Sequence, residues 1–260
     1  MRKTASTKRF VLALTTLVAC SFATPGRAVL LGQWNLNEGS GTVAQDATAN
    51  NNDGTLSGSA TLVTEVTQGL VSTSGATGGV NWGDVAAFDG LTALSLAVWV
   101  NPTALPTGLP FAETILLGEN VGSYAMSYYQ NGNAYFYING GGNSVSTPLT
   151  LGEQAFIVGT WDGIDMRIYK NGIEVGTRAV SVTLADGGSF VGAGGTATGF
   201  NVNFNGKINE AAIYNNALTG AEVTALFNAG PVPIPEPGAA SLLLVGMGAL
   251  ILRKKMRRNS

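Results

Sequence analysis

Three dipeptides constrain this chain most: Asn131-Gly132, Asp162-Gly163 and Asn171-Gly172, each set between short runs of strand-forming residues. Asn-Gly and Asp-Gly adopt the positive φ values that tight antiparallel hairpins need, so each predicts two adjacent strands folded back on one another. The runs they join are SYAMSYYQ with NAYFYI, QAFIVGTWDG with DMRIYK, and DMRIYK with the run after Asn171-Gly172. Upstream, LLGQWNL (Leu30–Leu36) alternates apolar and polar, whereas LSLAVWV (Leu94–Val100) is nearly all apolar, the pattern of a strand buried on both faces. ETILLGE and GKINEAAIYNN read as further strands. With 36 glycines in 260 residues and only 12% charged residues, the chain has the turn-rich composition such a layout needs. One helix is predicted, in LTGAEVTALFNAG: Thr219 is the N-cap, Glu222 stands three residues later as in a capping box, and Gly230 closes it. The expected fold class is all-β, a two-sheet antiparallel jelly-roll sandwich with one short C-terminal helix in the domain and apolar helices at both chain ends. Trp34, Trp99, Phe156 and Ile213 are the expected core residues.

Charge is distributed unevenly. Ten of the 14 basic residues lie in residues 1–27 and 253–258, while 15 of the 16 acids lie in residues 28–235, leaving that stretch a formal −11. Phosphate binding needs a basic surface, so nucleic acid is not an expected partner. The chain has no histidine, and its one cysteine is Cys20. That excludes an internal disulfide framework, Ser–His–Asp and Cys–His catalysis, and His-ligated zinc or haem.

The two ends carry addresses. Residues 1–28, MRKTASTKRFVLALTTLVACSFATPGRA, join a basic start, an apolar core from Phe10 to Ala19 and small residues, the layout of a secretory signal peptide. Cleavage is expected after Ala28, with Ala23 the second choice. Leu17–Cys20 also resembles the lipobox of bacterial lipoproteins; the favoured expectation is that Cys20 is discarded with the signal. At the other end, Gly238–Leu252 is a 15-residue uncharged run, shorter than the roughly 20 residues of a stable span. Basic residues between Arg253 and Arg258 would hold its far side in the cytoplasm. Pro235, Glu236 and Pro237, followed by this run and the basic tail, resemble the PEP-CTERM sorting signal of Gram-negative bacteria, with Ile234 where Val is usual. The resemblance implies transient membrane anchoring, an exosortase-type membrane protease as a partner, and delivery to the cell surface or extracellular matrix. The expected domains are a signal peptide (1–28), one globular domain (29–230) and a sorting signal (231–260).

Within residues 29–230, four segments occur in a familiar order: WNLNEGSGTVAQDATANNNDGTL, LSLAVWVNP, FIVGTWDGIDMRIYKNGIEV and FNGKINEAAIYNNALTGAEVTALF. Together they resemble the LamG-like domain of the concanavalin A-like lectin and glucanase superfamily. The resemblance implies two antiparallel sheets with one concave face. It also implies a structural Ca²⁺ held by Asp46, in the loop Asp46–Gly54, and by the residue at Asn209, where Asp is usual. Losing that charge would weaken calcium binding; alternatively, Asp46 and the Asn run only build turns through side-chain hydrogen bonds.

Glycosidases of this superfamily need two carboxyls at about 5–5.5 Å or 6.5–9.5 Å. The Glu-x-Asp-x-x-Glu pattern of laminarinase-like enzymes is missing from this sequence. The close acid pairs, Asp162/Asp165 and Glu113/Glu119, read as solvated loop ends. Tyr124, Tyr128, Tyr135 and Tyr137 are evenly spaced within their strands, so each pair shares a face and an aromatic patch around one hairpin is expected. Trp82 and Trp161 read as rim or core residues. The expected function is a secreted or cell-surface, non-enzymatic module that binds extracellular polysaccharide or cell-surface glycan. The alternatives are a glycoside hydrolase of the same superfamily and a purely structural matrix protein.

Overall fold

The computed structural model describes residues 28–63, 69–72, 78–107, 112–119, 122–185, 191–194 and 204–231. The expected signal peptide up to residue 27, Cys20, Pro235–Pro237 and the apolar run 238–252 lie outside these residues. Among the described residues no helix is long and apolar enough to cross a membrane.

Sixteen strands are described: β1 (Leu30–Trp34), β2 (Val43–Ala44), β3 (Gly54–Ser57), β4 (Thr61–Val63), β5 (Gly69–Ser72), β6 (Gly79–Gly83), β7 (Leu94–Pro102), β8 (Glu113–Gly118), β9 (Tyr124–Tyr129), β10 (Asn133–Ile138), β11 (Ser144–Pro148), β12 (Ala155–Trp161), β13 (Asp165–Lys170), β14 (Ile173–Ala179), β15 (Val191–Ala193) and β16 (Gly206–Tyr214). The helix α1 spans Gly220–Ala229. All the strand pairings are antiparallel and form two eight-stranded sheets. The first runs β14-β13-β12-β7-β16-β5-β4, with β1 also paired to β16. β5 pairs with Gly206–Ile208 and β1 with Ala211–Tyr214, so these two strands share one edge of β16. The second runs β11-β10-β9-β8-β15-β6-β3-β2. This is the expected jelly-roll sandwich with its one short helix.

The predicted hairpins form where the turn chemistry put them. Asn171 and Gly172 both have positive φ, 52° and 81°, and join β13 to β14 as a two-residue turn. The other two hairpins take three-residue loops, with Gly132 at φ 84° and Gly163 at φ 90°. Thr219 and Glu222 make the reciprocal capping box that starts α1.

The two sheets meet over a core that includes Trp34, Leu96, Val98, Trp82, Phe136, Met126, Ile168 and Ile213. Trp161, also in this core, donates from its indole nitrogen to the Val180 carbonyl at 2.7 Å. Trp99 and Phe156 do not belong to it. They lie on the opposite side of the first sheet, in a second cluster with Ala97, Val158, Tyr169, Ala212, Leu218 and Val223, against which Leu226 and Phe227 of α1 pack. The helix therefore covers the outer side of the first sheet and buries β7 and β12 on both faces. That is why LSLAVWV lacks alternation, and why the sequence could not say which of its residues face the sandwich interior.

Candidate functional site

The second sheet brings polar and aromatic side chains together on its outer side. Phe136 and Ile138 of β10 point into the core, so Tyr135 and Tyr137 point out. Cross-strand partners share a face, which places Ser127 beside Tyr135, and Ala125 and Ser144 beside Tyr137. On the next strand Glu113 pairs with Tyr129 and Ile115 with Ser127. Tyr135 and Tyr137 lie nearly parallel, ring centroids 5.6 Å apart at 10°, and Tyr129 meets Tyr135 edge-on at 6.0 Å and 81°. The three rings form one patch around Glu113.

Glu113 is the carboxylate of this patch. Ser127, itself without solvent exposure, donates its hydroxyl to Glu113 in a short hydrogen bond. The Tyr137 hydroxyl lies near both Glu113 and Ser127. Burial pushes the Tyr137 hydroxyl well above the usual tyrosine range, and the neighbouring Glu113 charge adds to that shift. Tyr137 therefore stays neutral at any physiological pH. At the rim, Asn131 Nδ2 donates to the Tyr135 hydroxyl at 2.9 Å and Gln130 Nε2 to the Tyr129 hydroxyl at 3.4 Å.

The face extends well beyond these strands. A single row of directly opposed residues crosses all eight: Ser144, Tyr137, Ala125, Gly118, Gly192, Asn81, Thr55 and Val43. At its far end Asp53, Thr55, Ser57, Asn81, Trp82 and Gly83 line a shallow hollow of about 380 Å³. The face thus has an aromatic, carboxylate-bearing end and a polar, hydroxyl-rich end.

Several sequence expectations change here. Tyr124 and Tyr128 share a face, as their spacing requires, but it is the inner one. Tyr124 donates to the Phe88 carbonyl at 3.3 Å, and Tyr128 packs edge-on against Phe204 at 5.9 Å. Period-two spacing says which residues go together and not which way they point; of the neighbours Tyr128 and Tyr129 beside the hairpin, Tyr129 is the one whose ring completes the patch. Glu113 and Glu119 are not solvated loop ends: Glu113 sits on the sheet, and Glu119 at the end of β8 is 3% exposed. Asp162 and Asp165 do lie at a hairpin, both bonded at 2.9 Å to Arg167. Glu113 is the only acid within strands β8 to β11, whereas Glu210 belongs to the first sheet. Trp82 and Trp161 are both core residues.

Asp46 pairs with Trp34 in an isolated bridge. Its Oδ1 accepts from the backbone N–H of Gln33 (3.1 Å) and Thr48 (2.9 Å); its Oδ2 accepts from the Thr48 hydroxyl (2.8 Å) and the Asn52 N–H (2.9 Å). Four donors match the lone-pair sites of a carboxylate. Burial raises its pKa, but the donors from Thr48, Asn52 and Gln33 outweigh burial and hold it below the usual value. Asn209 is buried in β16 where the register against β7 shifts. Among the described residues no three His, Cys, Asp or Glu side chains stand together. A calcium ion at Asp46 would have to displace donors already in place, so the residues as folded suit a loop-ordering carboxylate better than a calcium ligand.

Two antiparallel sheets, one backed by a helix and the other bearing an aromatic and carboxylate face, define a jelly-roll module of the lectin and glucanase kind. The chain belongs to the concanavalin A-like lectin/glucanases superfamily, whose laminin G-type family model matches residues 73–224. Its fold is similar to domain 4 of AbnA, a GH43 extracellular arabinanase from Geobacillus stearothermophilus solved in complex with arabinotriose. That match has 19% identity and a TM-score of 0.58, covering 76% of this chain and 98% of that one. Trypanosoma rangeli sialidase matches at 20% identity and a TM-score of 0.57, over 76% of this chain and 32% of the sialidase. The binding domain of Paraclostridial Mosquitocidal Protein 1 matches at 15% identity and a TM-score of 0.57, over 77% of this chain and 52% of that one. The fold is thus shared by chains of enzymes and by binding domains. No curated protein matches the sequence.

Proposed function

We propose that this protein is a non-catalytic carbohydrate-binding module, exported and delivered to the cell surface or extracellular matrix of a Gram-negative bacterium. The observation that carries the binding reading is the patch of Tyr129, Tyr135 and Tyr137 around Glu113 and Ser127. Aromatic rings beside fixed hydroxyl and carboxylate partners are the mixture that holds a sugar, apolar on its ring faces and polar at its edges. The similar arabinanase domain, solved with arabinotriose, supports a glycan as the ligand class. The signal-like start and the Pro235–Glu236–Pro237 tail support export, a membrane-held precursor and processing by an exosortase-type protease. Binding of the exported protein to a polysaccharide and cell-surface glycan panel tests the reading. Saturable binding that Tyr135→Ala weakens about tenfold supports it; a protein that retains no glycan sinks it and leaves a structural matrix role.

One observation favours a second reading. Glu113, hydrogen-bonded within an aromatic face, is placed as a catalytic carboxylate would be, and a hydrolase would need a second carboxyl from another element. Release of reducing sugar that Glu113→Gln abolishes would promote the hydrolase over the binding module.

A further inference from the structure

A separate hollow of about 180 Å³ lies on the outer side of the first sheet, beside the C-terminal end of α1. Strand register explains it. Phe156, Trp99 and Glu210 stand in one cross-strand row, and the next outward-facing row is Val158, Ala97, Ala212 and Gln33. Ala97 and Ala212, side by side, leave space between two walls. One wall is Trp99 stacked on Phe156, centroids 4.8 Å apart; the other is Tyr214. Leu226, Ala229 and Gly230 close the helix side.

Three independent features make this hollow attractive to positive charge. Glu210, the only acidic or basic residue among the described residues lining it, is oriented by Gln33, whose Nε2 donates at 2.8 Å. Trp99 brings the aromatic ring best suited to a cation. The last turn of α1 ends here with carbonyls that carry partial negative charge, and it contains no basic residue to offset them. The Tyr214 hydroxyl responds to the same surroundings: burial first, then the charges of Glu210 and Glu222, push it up to about 12. Lys207, opposite Asn101, does not line the hollow.

We propose that this hollow binds a small organic ammonium group, its charge against Glu210 and the helix end, its methyl or methylene groups against Trp99 and Phe156. The glycan-facing sheet takes no part, so the two sites stand or fall separately.

The test uses the full-length chain in a non-ionic polyoxyethylene detergent, with saturation-transfer NMR and tryptophan fluorescence as readouts. Choline and n-butylamine serve as quaternary and primary ammonium probes, and 3,3-dimethyl-1-butanol as the neutral isostere of choline. Saturable binding of at least one ammonium probe is expected, about tenfold tighter than the alcohol and weakened by salt. Glu210→Gln should remove most of that preference. Gln33→Lys, which supplies a tethered ammonium group, should block the probe, with near-UV circular dichroism showing that the core is kept. Equal binding of choline and the alcohol, or no saturable binding of either amine, overturns the proposal. So does binding that both variants leave unchanged. Tyr135→Ala should not alter ammonium binding; if it does, the probe sits on the other sheet and the assignment is wrong.

Discussion

Trp34 on the first sheet and Trp82 on the second meet inside the sandwich with ring centroids 4.0 Å apart and an interplanar angle of 38°. Glycines make room for both indoles. A Cβ on Gly32 would come 2.5 Å from the Trp34 ring, and one on Gly54 would come 2.5 Å from Trp82 Nε1. Gly54→Ala should therefore destabilise the fold by about 1–3 kcal/mol through overpacking. Urea denaturation followed by tryptophan fluorescence measures this; an unchanged midpoint would mean that Trp82 moves aside freely.

Gly159 and Phe136 make a second contact between the sheets. Gly159 lies on β12, and a Cβ there would run into the Phe136 ring on the facing strand β10. Gly159→Ala is expected to cost a similar amount, about 1–3 kcal/mol. Adding Phe136→Leu should recover part of the loss, because the two changes share one space. Strict additivity in the double-mutant cycle would show that the sheets are not in contact at this point.

Asp46 should make the loop sensitive to acid. Its pKa is lower in the folded state than in the unfolded chain. Its contribution is complete above the unfolded value, near 3.9, and is lost as pH falls through the folded value. Asp162 is shifted the same way: the Asp165 and Ile164 N–H groups and Arg167 outweigh its burial. Stability measured from pH 6 down to about pH 2 should decline less steeply in Asp46→Asn than in the parent. Asp46→Ala should cost roughly 2–3 kcal/mol at neutral pH from the lost charged hydrogen bonds. Added Ca²⁺ should leave the Tm of the parent unchanged; a rise of several degrees that Asp46→Asn abolishes would assign a calcium ion to the loop.

Glycan affinity should follow the rings. Tyr135→Ala and Tyr129→Ala remove the half-exposed members of the patch and should each weaken binding by about tenfold, with little change in Tm. Glu113→Gln should lower affinity and also let Tyr137 ionise at a lower pH, since it removes a neighbouring negative charge. Alkaline ultraviolet titration, carried as far as the fold survives, follows that ionisation. A Tyr137 transition in Glu113→Gln no earlier than in the parent would remove Glu113 from the Tyr137 environment.

Much of the fold could be read from single residues. Asn171-Gly172 needed two positive φ values, and Thr219 with Glu222 needed a helix start; each signal is local and each was realised. The side on which a residue lies is not local. Tyr124 and Tyr137 look alike in sequence, yet one is inside and the other outside. Irregularities compound this: register shifts between Ile115 and Leu117 in β8 and between Ile208 and Glu210 in β16 change which residues face outward. Glu113 read in the sequence as a solvated loop end, because its bond to Ser127 and its place beside Tyr137 depend on pairing across three strands. Asp46 stood out as a carboxylate in an Asn-rich loop, while its four donors come from residues as far apart in sequence as Gln33 and Asn52.

The helix on the first sheet also sets how the molecule is displayed. The chain leaves α1 at Gly230 on one broad side of the sandwich, and the tyrosine face is on the other, with the thickness of two sheets between them. A tether that continues from Gly230 would attach to the back of the domain. Whatever surface holds that tether, the patch of Tyr129, Tyr135 and Tyr137 would then be turned toward the surroundings and free to meet large or insoluble polymers.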